Sequence, residues 1–266
     1  MLFPQMYDHL AAEKAIARIW AAKRKLGDEL VILGHHYMSD DVIQFADFRG
    51  DSLQLSRQAA QAEKARYIVF CGVHFRAETA SIIGRPEQMV LIPDRRAGCL
   101  LADMAEIEEV RRAWEALSAI WGGDLTPITY VNSTADLKAF CGERGGIVCT
   151  SSNAPRICRW ALERTGHVLF FPDENLGVNT ALAMGIPRDQ IMTWNPSQPL
   201  GGNPDIERAR FVVWRGFCYV HVRFTAEHVA AVRAKYGDIR VIVHPECSPE
   251  VVALADANGS TSYIVR

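Results

Sequence analysis

Several absences narrow what this 266-residue sequence can be. No CxxC pair occurs among its seven cysteines, Cys71, Cys99, Cys141, Cys149, Cys158, Cys218 and Cys247, so neither a zinc ribbon nor a thioredoxin-type motif is indicated. The opening Met1–Leu10 lacks the basic-then-apolar design of an export signal, and without export a disulfide framework is not expected. No apolar run is long enough to span a bilayer. There is no basic excess: the formal net charge of −2 argues against a nucleic-acid partner. Neither GxGxxG nor GxxxxGK[ST] occurs, so a nucleotide-binding assignment has no motif behind it. Low-complexity segments are missing too. These absences point to a soluble cytoplasmic protein with neither membrane nor nucleic-acid partners.

What is present is a repeated alternation of short apolar runs with amphipathic stretches. The chain is 49% hydrophobic, enough for one large domain or two to three small ones. Strands are predicted at Leu30–Gly34, Tyr67–Cys71, Met89–Ile92, Pro127–Val131, Gly146–Cys149, Val168–Phe171, Ile191–Thr193, Cys218–Val222 and Arg240–Val243. Helices are predicted at Ser52–Glu63, Glu106–Leu117, Ala154–Glu163 and Thr225–Tyr236, with a further start at Ser248-Pro249-Glu250. Such alternation implies α/β architecture, with parallel sheets covered by helices on both faces. Boundaries are expected near Asp94–Gly98 and near the Pro/Gly-rich run Asn195–Pro204, which precedes a helix ending at Trp214-Arg215-Gly216.

Ligands of open α/β sheets bind beyond the carboxyl ends of the strands. The residues found there are unusually polar: His35-His36-Tyr37, Asn132-Ser133, Ser151-Ser152-Asn153, His244-Pro245-Glu246 and Gly259-Ser260-Thr261, with His221 inside the strand that begins at Cys218. Three places lead a small or hydroxyl residue straight into a helix: Gly50-Asp51-Ser52, Thr150–Asn153 and Gly259-Ser260-Thr261. Singly, each reads as an ordinary N-cap; together they favour a small, multiply anionic substrate. His9, His167 and His228 read as structural or surface groups, and His74 is left open. A single cysteine is ordinarily a small buried hydrophobe. The residues alone therefore give an α/β enzyme with an anion-friendly pocket, open to a thiolate-bound metal.

The segments Ile32–Tyr37, Ala46–Leu53, Phe70–Ala80, Tyr130–Ser133, Cys149–Ala154, Phe171-Pro172-Asp173 with Leu176-Gly177, Trp214–His221, His244–Cys247 and Gly259-Ser260-Thr261 resemble, in order, the quinolinate synthase family. That resemblance implies three pseudo-equivalent, Rossmann-like α/β/α domains in a triangular arrangement, here residues 1–98, 99–217 and 218–266. It implies a central 4Fe-4S cluster with one iron open as a Lewis acid, and a transferase of NAD biosynthesis. The reaction joins iminoaspartate to dihydroxyacetone phosphate, releasing phosphate and water to give quinolinate. L-aspartate oxidase or aspartate dehydrogenase would supply the iminoaspartate. By similarity, Cys99 and Cys218 are cluster ligands, while Ser52, Ser151, Ser260 and Thr261 hold substrate anions. His35, Tyr37, Tyr130, Asn132 and His221 line the pocket, and Glu246 beside His244 is the expected general base. Cys71, Cys141, Cys149, Cys158 and Cys247 match no ligand position, and His36 replaces an asparagine often found there.

The third cluster cysteine is expected beyond Gly259-Ser260-Thr261, after another strand and helix, yet the sequence ends at Arg266. The reading at this stage is a fragment of a longer product, its third domain incomplete and its last sheet left with an open edge. A cluster-free remnant that binds small dicarboxylates or phosphates is the alternative. An aldolase-like enzyme with a Schiff-base lysine is disfavoured, because Lys14, Lys23, Lys25, Lys64, Lys138 and Lys235 all fall on predicted helices.

Overall fold

Every paired strand among the described residues runs parallel to its neighbour. The computed structural model describes residues 10–266, apart from the side chain of Ser52; His9 and the opening segment lie outside it. The chain divides into two compact units, Met1–Ala97 and Gly98–Arg266. Each is α/β, with helices packed on parallel strands, as the alternation of elements predicts.

The first unit runs α1 (Ala12–Leu26), β1 (Leu30–His35), α2 (Asp40–Ile43), β2 (Phe48–Gly50), α3 (Ser52–Gln61), β3 (Tyr67–Cys71), α4 (His74–Ile83) and β4 (Met89–Leu91). Helix α1 is favoured by Ala, Lys and Arg, with Glu13 in its first turn and Lys23, Arg24 and Lys25 in its last, each sign opposing the nearby helix dipole end. Lys23 also reaches Asp47 at 2.7 Å, while Asp47 accepts the Ile32 amide at 2.8 Å, tying helix to sheet. The strand order is β2-β1-β3-β4, over a core that includes Leu33, Leu55, Ile68 and Phe70. Register sets His35 beside Gly50 and Gly34 beside Cys71, so these strand ends share one edge.

The second unit continues with α5 (Ile107–Trp121), β5 (Leu125–Tyr130), α6 (Ala135–Glu143), β6 (Ile147–Cys149), α7 (Ala154–Leu162), β7 (His167–Phe171), α8 (Glu174–Ala183), β8 (Ile191–Trp194) and β9 (Phe211–Trp214). Then follow α9 (Ala226–Tyr236), β10 (Ile242–Val243), α10 (Pro249–Leu254), β11 (Ala257–Asn258) and α11 (Thr261–Val265). The main sheet has the order β6-β5-β7-β9-β8, and β10 and β11 pair separately. Its central strands are apolar on both faces. Val168, Phe170, Phe211 and Val213 enter one core, and Leu169, Phe171, Val212 and Trp214 enter the other. Burying each such side chain contributes about 1.5–3 kcal/mol as an upper estimate, which is why continuous apolar runs form the middle of the sheet.

Three sequence expectations are corrected here. Phe211–Trp214, expected to be the end of a helix, is a strand between β7 and β8, buried at all four positions. Cys218–Val222, expected to be a strand, is a turn followed by a short 3-10 helix at His221–Arg223. Tyr219 and Val220 remain 50% and 43% exposed, because no neighbouring strand covers them. Lys64, read as helical, lies in the turn after α3. His167 is structural as expected: its Nδ1 lies 2.7 Å from the Ala209 carbonyl and its ring stacks on Trp121. His228 closes the capping box of α9 with Thr225. His74, left open by the sequence, lies 3.6 Å from Glu78 one turn along α4.

Candidate active site

The candidate centre of the second unit begins where β9 ends. The Trp214 indole N–H donates to the Met104 carbonyl at 2.8 Å, and the chain then turns at Gly216. A Cβ at Gly216 would run into the Pro172 carbonyl oxygen, so only glycine lets the two segments pass this closely. The Glu174 amide donates to the Gly216 carbonyl at 2.7 Å. Asp173 caps α8 by accepting the Leu176 amide at 2.7 Å, and its Oδ2 is buried without a hydrogen-bond partner. Cys99 and Cys218 are both half-buried cysteines packed against the same apolar core. Cys141, Cys149, Cys158 and Cys247 are buried, and burial pushes each of these thiols up, the opposite of what a thiolate ligand needs. Cys71, half-buried in the first unit, is raised by burial as well.

Beside Cys218 stand two imidazoles and a carboxylate. His221 Nδ1 lies 2.7 Å from Glu246 Oε2, at ion-pair distance but away from ideal hydrogen-bond angles. His244 Nδ1 lies 3.9 Å from the same oxygen, and the two imidazole rings stack with centroids 4.4 Å apart. Burial alone would neutralise Glu246, but contacts with His221, His244 and the Tyr130 hydroxyl outweigh it and hold the carboxyl below its ordinary range. Burial also acts against charge on His221, yet Cys218 and Glu246 raise it to about 9. Asp173, fully buried and next to the Glu246 charge, is pushed well above the carboxylate range. The centre thus favours the ionised form of Glu246 and the imidazolium of His221, and disfavours charge on Asp173. Two buried carboxyls pushed in opposite directions suit acid–base chemistry.

A clamp holds the loop that carries this carboxylate. Asn179, buried on α8, donates both hydrogens of its side-chain amide, to the Pro245 carbonyl at 2.9 Å and the Cys247 carbonyl at 2.8 Å. Those carbonyls flank Glu246. Asn179 also lines a cavity of about 250 Å³ with Ser151, Thr180, Pro245 and Asn258. Ser260 is the buried N-cap residue of α11, followed by half-buried Thr261, and Asn132 is half-buried just past β5.

In the first unit, His35 is buried with its ring centroid 4.5 Å from that of Tyr37, and its Nδ1 accepts the Tyr37 amide at 3.3 Å. The buried Arg76 guanidinium sits 5.9 Å from the Tyr37 ring. Burial, then Arg76 and His36, lower His35 to about 2, so its imidazole is neutral. Ser52 opens α3, following Asp51, which lies 4.0 Å from His36.

The sequence model of the family described as Quinolinate synthetase A protein matches residues 17–266. The chain belongs to this family. It is 53% identical over 268 residues to the quinolinate synthase of Corynebacterium glutamicum, covering 100% of this chain and 68% of the relative. It is 54% identical to that of Acidobacterium capsulatum, with 93% and 67% covered, and 49% identical to that of Anoxybacillus flavithermus, with 99% and 72% covered.

Among the residues expected from the quinolinate synthase resemblance, contacts join Tyr130, Cys218, His221, His244 and Glu246. His35 and Tyr37 form a separate cluster in the first unit. Two supporting residues, Asp173 and Asn179, carry no role in the sequence reading. Asp173, three residues before Leu176, has the spacing of a helix cap, but the Glu246 charge that acts on it lies far off in sequence and has no local signal.

Proposed function

We propose that this chain condenses iminoaspartate with dihydroxyacetone phosphate to quinolinate, phosphate and water, as a transferase of NAD biosynthesis in the cytoplasm. The family supports the reaction. The observation that carries the site assignment is the buried Glu246 carboxylate, held ionised between His221, His244 and Tyr130. In this reading residues 218–266 belong to a third domain, and L-aspartate oxidase or aspartate dehydrogenase supplies the unstable imine.

Cys99 and Cys218 would hold a 4Fe-4S cluster in this reading. Their chemistry fits: both are cysteines short of full burial on one apolar core, while the other cysteines of the unit are buried. When bound, such a cluster supplies an open iron that polarises a substrate oxygen or nitrogen.

The chain's own residues carry the proton transfers. Glu246 accepts a proton from substrate carbon as the carbon–carbon bond forms, since it is already ionised. His221 carries a proton at neutral pH and donates it to a departing oxygen. Tyr130 and His244 fix the carboxylate between them, and burial excludes bulk water from it. Ser52, Ser151, Asn132, Ser260 and Thr261 hold substrate anions, with His35 and Tyr37 orienting the intermediate. The test is quinolinate formation by the chain after anaerobic iron–sulfide reconstitution. Production that Glu246→Gln abolishes supports the proposal. A chain that binds iron and sulfide yet makes no quinolinate overturns it.

A further inference from the structure

We propose that Cys218, His221 and Glu246 form a site for a single zinc ion in the cluster-free chain. One ligand atom from each lies within 4.8 Å of the other two. Zinc bonds of about 2.0–2.3 Å place co-ligands roughly 3–4 Å apart, so small side-chain adjustments close the site. A thiolate, an imidazole and a carboxylate are the donors zinc accepts, whereas calcium and magnesium require oxygen. Three protein donors leave the fourth position to water, as in catalytic zinc sites.

Two observations independent of that spacing point to a missing cation. Glu246 is 2% exposed, and its Oε1 has no hydrogen-bond partner. His221 Nδ1, also buried, faces Glu246 Oε2 at 2.7 Å without a well-formed hydrogen bond. The supporting contacts of a metal site are present as well: Tyr130 hydrogen-bonds Glu246, and the His244 ring stacks on His221. Zinc would take the place of the thiol and imidazolium protons, which leave as it binds. Because the site shares Cys218 with the proposed cluster, zinc and a cluster exclude one another, and zinc is expected to block cluster assembly.

The inference stands apart from the quinolinate reading and is tested without activity. The chelator-treated full chain is titrated with Zn²⁺ by calorimetry and with Co²⁺ by visible absorption. One ion per chain and a sulfur-to-cobalt charge-transfer band are expected. Cys218→Ser should remove the band; His221→Asn and Glu246→Gln should each weaken binding by at least the roughly 10–100-fold that loss of even an outer partner costs. Cys99→Ser should bind as wild type does. Circular dichroism checks that each variant folds, and a wild-type cobalt spectrum without the band would overturn the site before any variant is made. Lack of saturable binding, a band that survives Cys218→Ser, or equal loss in Cys99→Ser overturns the site. Quinolinate synthesis without zinc binding would sink this inference and leave the proposed function standing.

Discussion

Replacing Glu246 with Gln keeps the shape of the side chain but removes the charge that holds His221 protonated. His221 is raised from 6.5 in an unfolded chain to about 9 in the fold. At about 1.4 kcal/mol per unit this linkage amounts to about 3 kcal/mol. The folded pKa is the higher one, so the stabilisation is complete below pH 6.5 and is lost as pH rises through about 9. Contacts with both Cys218 and Glu246 raise the group, so the Gln variant should lose roughly half or more of that slope, not all of it. Asp173 and the buried thiols add slopes of the same sign, but burial is their leading cause, and they largely cancel when variant and wild type are compared. The assay is urea unfolding of the cluster-free chain at intervals from pH 6 to pH 9.5. Wild-type stability that stays flat or rises across this window, or a variant with the wild-type slope, would refute the ion pair.

His35 works in the opposite direction. Lowered to about 2, chiefly by burial, it refuses the proton that an unfolded chain takes up below 6.5. Stability should therefore fall with acid at up to about 1.4 kcal/mol per pH unit, and thermal melts of His35→Asn between pH 6.5 and pH 4.5 should show a shallower decline; equal slopes would reject the buried neutral imidazole. Asn179→Asp is isosteric but takes both donors from the carbonyls flanking Glu246. A loss of about 1–3 kcal/mol is expected, with faster hydrogen exchange confined to residues 244–248; unchanged exchange there would show that the loop is held by something else.

The sheet framework was legible because its signals are local. Tyr67–Cys71 has the bounds read from its β-branched run, and the Thr225 helix start has its cap. Phe211–Trp214 was misread because four consecutive apolar residues fit a buried strand and a buried helical turn equally well. Only the edges of β7 and β8 decide between them, and those lie far off in sequence. His221 was placed in a strand because valine and tyrosine surround it, yet no neighbouring strand receives that segment. At the centre, His244 and Glu246 could be found from their position after a strand. Asn179 could not, since its meaning comes from carbonyls 66 and 68 residues away.

The insertion of β9 between β7 and β8 has a consequence for the order in which the molecule comes together. As the chain emerges, β8 is made before β9 but has no strand to join, because among the described residues its only neighbour is β9. Strand β7 meanwhile presents an apolar open edge. Strands β6, β5 and β7 can pair with one another without β9, whereas β8 joins the sheet only through it. Pairing across such separations is slow and leaves sticky edges exposed in the interval. Cys218 follows β9 by a few residues, so its place near Asp173, which lies just past β7, depends on β9 pairing with β7.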